Sequence, residues 1–352
     1  MSRSASHASP TSTRAASRTF PLVAIGVGAF LLVLAGLLAW YVEPRAERTP
    51  LNTDTTTVFT GTGSYFDTGK IRTVHDKRIT ITRQVRGDVA DGERGGTAVW
   101  DVTTSVDTDA SLPAADPHDA LQWTQERWVT DRKTNLPVHC CGESPAFRGE
   151  AYLKFPFRVE RRTYTWWDNT LGATIPLRFR GTTKVQGYEG YRFTGTVAPA
   201  RTGSRLVPGK LVGQPKRGQV LAEEWYANHG VELVVDRRTG RVLYAAIGPR
   251  KTLRAPGTDR DAAVLLDSRK IAFTPATQRA QVALAQDDND RLTLLGTTVP
   301  LVAGGAGLLA LAAGAVLLAV RGGRGTGGGR RPEGLRRPDP DTSPTALETS
   351  TM

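Results

Sequence analysis

Two adjacent cysteines, Cys140 and Cys141, are the only thiols in the chain and the residues with the plainest capacity for chemistry. They stand in the run His139-Cys140-Cys141-Gly142. In an oxidising compartment such a pair has three outcomes: a vicinal disulfide, a bridge to a second copy, or two free thiols. A vicinal bridge closes a small strained ring and makes a stiff turn, which suits the glycine behind it. A redox switch is the functional version of that turn, because strained bridges reduce more easily. The rigid turn is the simpler expectation.

Metal and nucleophile chemistry find little to work with. His75, His118, His139 and His229 include no i, i+4 pair, and there is no Cys-x-x-Cys. His139 beside two adjacent cysteines fits tetrahedral zinc badly. Asp287-Asp288-Asn289-Asp290 lacks the glycine and terminal glutamate of a calcium loop and reads as a polar helix face or a spacer. A Cys141/His229 couple is conceivable on type alone. No Gly-x-Ser-x-Gly or phosphate-loop motif is present. No catalytic residue, metal site or cofactor is expected, and the chain is read as a non-enzyme. Tyr164, Trp166 and Trp167 are the candidates for lining an apolar or carbohydrate site, against the simpler role of filling a core.

The elements that must position these residues are set by two apolar runs. Phe20 to Val42 is 23 residues without a charge, and Val299 to Val320 is 22. A helix of that length crosses the roughly 30 Å hydrocarbon core of a bilayer. Trp40 and Tyr41 end the first run, where amphipathic rings favour the interface. Arg3, Arg14 and Arg18 precede the first span, and Arg321, Arg324, Arg330, Arg331, Arg336 and Arg337 follow the second. Basic flanks resist translocation, so a two-pass plasma-membrane protein is expected, with both termini cytoplasmic and the middle outside. Ala306, Ala310 and Gly314 make a small-residue stripe suited to packing on the first span or on a second copy. The partners expected are therefore membrane lipids and a homo-oligomer.

Net charge is +12, of which the tails at 1–19 and 321–352 hold +3 and +2, leaving +7 between the spans. That excess suits an anionic envelope component, although no Lys/Arg block stands out. Nucleic acid is not an expected partner on the outer face of a membrane.

Between the spans the pattern is β. Residues 55–69, 70–87 and 97–106 are rich in Thr and Val and are punctuated by glycine turns. Later strand candidates are 175–180, 190–197, 223–226, 231–235 and 241–247, with 203–218 read as a loop. The strands are expected to be short and polar on both sides. Asp131-Arg132-Lys133-Thr134-Asn135 and Asp236-Arg237-Arg238-Thr239-Gly240 are the same turn chemistry 105 residues apart, which suggests two similar halves, 54–145 and 146–255. Thr274-Pro275 is a helix start, opening a connector at 274–295. The tails read as disordered. The fold class is thus α+β: a mainly antiparallel β domain at 43–293, flanked by helices at 20–42 and 299–320.

The order of these features resembles an actinobacterial family of porin PorA-like, two-span envelope proteins. The residues that carry the likeness are the N-terminal span, Asp131 to Asn135, Phe155-Pro156-Phe157, Thr163-Tyr164-Thr165-Trp166-Trp167-Asp168, and the C-terminal span with its Arg-rich tail. It covers about Phe20 to Val320. It implies an envelope protein with a channel role and transfers no catalytic or binding residues. Two functions are carried forward: an outer β domain holding a lipid or other apolar ligand, and an oligomeric channel.

Overall fold

The computed structural model describes residues 16–113 and 116–323. The expectations for residues 1–15 and 324–352 lie outside the described residues. The chain forms two units, one of 36–301 and one that joins the flanking helices.

The flanking helices are α1, Ala16–Leu37, and, much later, α5, Val299–Gly323. Both are long and apolar enough to cross a membrane. They run against each other through glycine. A Cβ added at Gly28 would sit 2.7 Å from the Gly307 carbonyl oxygen, and one at Gly314 would sit 2.6 Å from Ile25. The packed face of α5 is Ala303, Gly307, Ala310 and Gly314, while Ala306 is exposed. The expected stripe of Ala306, Ala310 and Gly314 is corrected in this respect. A strict four-residue step drifts around a 3.6-residue helix, whereas alternating steps of four and three keep one face. At Gly304 a Cβ would lie 3.7 Å from the Ala35 Cβ, a separation that suits a disulfide. With Cys140 and Cys141 changed to serine, Ala35→Cys/Gly304→Cys should cross-link on mild oxidation, and adding Gly28→Leu should suppress it. Gel mobility under non-reducing conditions reads both.

The other unit is one antiparallel sheet with short helices. α2, Glu43–Ala46, leads to β1, Asp54–Asp67, and β2, Arg72–Gly87. α3, Val89–Gly95, starts on an Asp88 cap whose side chain accepts from the Asp91 N–H. β3, Thr97–Thr108, and β4, Gln122–Asp131, follow. After a 32-residue linker come β5, Tyr164–Asp168, β6, Ala173–Val185, and β7, Tyr188–Pro208. Then come β8, Gln219–Val235, β9, Val242–Arg254, and β10, Asp261–Phe273. α4, Pro275–Thr293, opens on Thr274, which accepts from the Thr277 N–H as its sequence implies.

The sheet order is β4-β3-β2-β1-β10-β9-β8-β7-β6-β5. Each strand pairs with its neighbour in sequence except β4 with β5, and β1 pairs with β10, so β4 and β5 are the two edges. At about 4.8 Å per strand a flat sheet of this order would hold its edges roughly 43 Å apart. Instead, Glu126 on β4 accepts from the Asn169 amide just beyond β5, and Lys251 on β9 donates to Gln122 on β4. The sheet therefore curls until its edges meet, as a half-barrel. The β4–β5 linker covers both edges: Ser144 and Pro137 bridge to β4, and Ala151 bridges to Trp166 of β5.

The strands are longer than expected. β7 has 21 residues, and its second half pairs with β8 through the stretch read as a loop. Only Gly209 to Gly218 turns. Val207, Val220, Ala222 and Leu253 form a small core of their own there, which pays for extending the hairpin. The main core lies inside the curl, where Phe155 and Val159 of the linker pack on Tyr164, Leu177, Phe193 and Leu233.

Candidate functional site

Inside the curl lies a cavity of about 420 Å³. Its wall follows strand parity. Thr55, Thr57 and Phe59 of β1, and Arg83 and Val85 of β2, face it at every second position. Val231, Leu233, Val242 and Ala245 supply the aliphatic side. Trp100, Tyr152, Trp166 and Trp167 close it with aromatic rings.

The candidate residues separate at this point. Trp166 and Trp167 line the cavity. Tyr164 sits in the core, 1% exposed, packed on Phe155 and Phe193, and its hydroxyl accepts from the Glu160 N–H. Cys140 and Cys141 are joined as a vicinal disulfide. Cys141 and Gly142 both take positive φ, 58° and 77°. The Cys141 carbonyl accepts from Arg127 Nε at 2.8 Å, and the same guanidinium pairs with Asp88, Asp91 and Asp101. That clamp ties the linker turn to β4 and α3. His139 pairs with Glu143, and His229 with Asp267, so Cys141 and His229 each have partners of their own. Among the described residues no cluster of three His, Cys, Asp or Glu is placed to hold a metal ion. The acidic run forms a polar face of α4: Asp287 and Asp290 are exposed, Asp288 pairs with Arg241 at 2.7 Å, and Asn289 donates to the Tyr188 hydroxyl at 2.8 Å.

Two polar groups within the curl escaped the sequence reading. The deeper one joins the sheet edges. Glu126, 4% exposed, accepts from the Tyr152 hydroxyl and the Asn169 amide. Burial raises its pKa, with Arg83 opposing. Asp168 is also raised by burial; it accepts from the Leu171 N–H and, at 2.9 Å, from the Tyr226 hydroxyl. Asn228 donates to that hydroxyl and accepts from the N–H groups of Gly230 and Gly248. The available signal was parity: Glu126 and Arg83 stand at inward positions between Thr124 and Trp128 and between Ile81 and Val85.

The second group lies at the rim near α4. The two Asp-Arg turns are alike atom for atom. Asp131 and Asp236 each accept from the backbone N–H and the hydroxyl of Thr134 and Thr239. Asn135 and Gly240 follow with φ of 61° and 73°. The turns grip one segment between them: Asn135 Nδ2 donates to the Lys154 carbonyl, and the Phe155 N–H donates to the Gly240 carbonyl, both at 2.8 Å. A Cβ on Gly240 would strike the Phe155 and Pro156 carbonyls. Lys154 is thereby held at the cavity with Arg48, Arg241, Asp288 and Arg291. Burial pushes its pKa down to about 7. The Trp100 indole N–H and the Thr49 hydroxyl, both buried and both lining the cavity, have no hydrogen-bond partner among the described residues.

Compared with known families, residues 20–316 match the model described as Porin PorA. A comparison with curated proteins gave no match.

Proposed function

The chain belongs to the Porin PorA family, and from that premise we propose that it is a membrane-anchored, non-enzymatic envelope protein whose β domain holds one apolar or lipid ligand. The carrying observation is the cavity: about 420 Å³ lined by aliphatic and aromatic side chains interspersed with polar and charged ones. Ligand sites generally run to roughly 300–1,000 Å³. The unpartnered donors of Trp100 and Thr49 add support, because an unmade buried hydrogen bond costs about 1–3 kcal/mol and a ligand oxygen would remove that cost.

The rim is close to the spans along the chain. Ala46 and Leu295 line the cavity, and each stands four residues from an apolar run, Val42 or Val299. The arginine flanks support a two-pass arrangement in the plasma membrane with both termini cytoplasmic. The exposed apolar faces of the helices, such as Phe30, Val33, Leu308 and Leu309, suit lipid or a second copy. An outer groove between Arg178, Arg180, Arg269 and Lys270, with Glu232, suits an anionic envelope component.

A fluorescent acyl probe tests the reading. The parent protein should bind it saturably. Ala245→Phe, which fills the cavity from β9, should weaken binding at least tenfold with unchanged far-UV circular dichroism. Equal binding by both would count against the cavity.

The family description favours a second reading, an oligomeric channel. A membrane barrel needs an outward apolar band roughly 25 Å tall. Alternate residues of β6 here expose Arg178, Arg180 and Lys184, so the sheet is no lipid-facing wall. Two helices per chain enclose no wide pore, and a channel would need several copies. Conductance in planar bilayers is its test.

A further inference from the structure

Lys154 has no counterion of its own among the described residues. It is 9% exposed, and its ammonium donates to the Phe155 carbonyl at 3.1 Å and lies 3.8 Å from the Phe157 ring centroid. The two acids near it are engaged. Asp288 is held by Arg241, and Asp236 by Thr239, Tyr188 and Asn289. Among the described residues no carboxylate forms an ion pair with Lys154. Arg48 and Arg291 line the same cavity, are exposed, and form no ion pair among the described residues. The cavity lining thus carries five cations, Arg48, Arg83, Lys154, Arg241 and Arg291, against two acids, Asp168 and Asp288. The rest of the wall mixes aliphatic and aromatic residues such as Val231, Leu233, Ala245 and Trp166 with Thr55, Thr57 and Asn228.

From this arrangement, and resting on the cavity reading above, we infer that the site takes an anionic amphiphile, with its carboxylate or phosphate head on Lys154, Arg48 and Arg291 and its acyl chain in the cavity. A buried ammonium without a carboxylate is costly, and a ligand anion supplies the missing charge. Arg48 and Arg291 hold the outer part of the head, where water still reaches. A head joined to an acyl chain is favoured over a free anion because aliphatic and aromatic side chains line the same cavity as the cations.

The test uses the full chain in phosphatidylcholine nanodiscs and 9,10-dibromostearate, whose bromines quench nearby tryptophan. Trp100, Trp166 and Trp167 line the cavity and report occupancy. Dibromostearate should bind at least tenfold more tightly than its uncharged methyl ester. Lys154→Met should remove that preference while leaving ester binding within twofold, and Arg291→Gln should reduce it about threefold. Inorganic phosphate at millimolar concentration should not displace the bound acid, and displacement would mark a free-anion site instead. Equal binding of acid and ester, or an unchanged preference in Lys154→Met, would overturn the head-group assignment and leave the cavity standing. Absence of saturable binding by either would overturn both.

Discussion

Phe155→Ala should destabilise the β domain by about 3–5 kcal/mol, the range for removing a large aromatic from a packed core. Phe155 is fully buried, and its ring centroid lies 5.0 Å from Phe193, 5.2 Å from Tyr164 and 5.7 Å from Trp166. It is the linker side chain that fills the curl between β5 and β7. Its backbone is fixed by the Gly240 carbonyl, so the segment cannot slide to refill the gap. Each kcal/mol moves the melting temperature of a domain this size by roughly 2–4 °C, giving a fall of about 6–20 °C. A thermal melt of the detergent-solubilised chain reads it. A change below about 2 °C would mean that the linker does not fill the curl.

Lys154→Met should have the opposite sign. In the lipid-stripped protein, burial lowers the lysine pKa from 10.5 to about 7; Arg241 pushes it further down, and Asp288 and Asp236 oppose. Between those values the unfolded chain binds a proton that the native chain does not. Native stability is therefore lost as pH falls from about 10.5 towards 7, by roughly 1.4 kcal/mol per pH unit, and the loss levels off below 7. Methionine fits a similar volume and carries no such cost. The variant should be more stable than its parent by a few kcal/mol at pH 7, and nearly equal to it at pH 10.5. Melts of both proteins across that range test it. A variant less stable than the parent at pH 7 would show that Lys154 is a structural partner and not a group awaiting an anion.

That contrast bears on what the sequence could reveal. The apolar runs, the Thr274-Pro275 helix start and the repeated Asp-x-x-Thr turn are local, and each follows from a few adjacent residues. The mainly antiparallel β domain with flanking helices follows from them. The long β7–β8 hairpin was obscured because Gly203, Pro208, Gly209, Pro215 and Gly218 all read as turn formers, and only cross-strand pairing decides which of them turn. The α5 face was shifted by reading a four-residue step where the helix repeats every 3.6. The cavity was hidden for a different reason. Its wall mixes Thr55, Thr57, Arg83 and Asn228 with aliphatic residues, so inward strand positions looked solvent-facing. Glu126, Asn169, Asp168 and Tyr226 meet only because the edges of a ten-stranded sheet come together. Trp166 and Trp167 were found as aromatics, but their neighbour Tyr164 was equally eligible, and only the fold assigns it to the core.

The central claim is that the β domain carries a bound amphiphile. Native mass spectrometry of the chain extracted from membranes into mild detergent addresses it most directly, because it reads bound lipid and oligomer mass together. The account predicts a protein carrying one acyl-chain lipid per chain, with that lipid lost in Ala245→Phe. A defined oligomer free of lipid would contradict it and leave the channel as the better account.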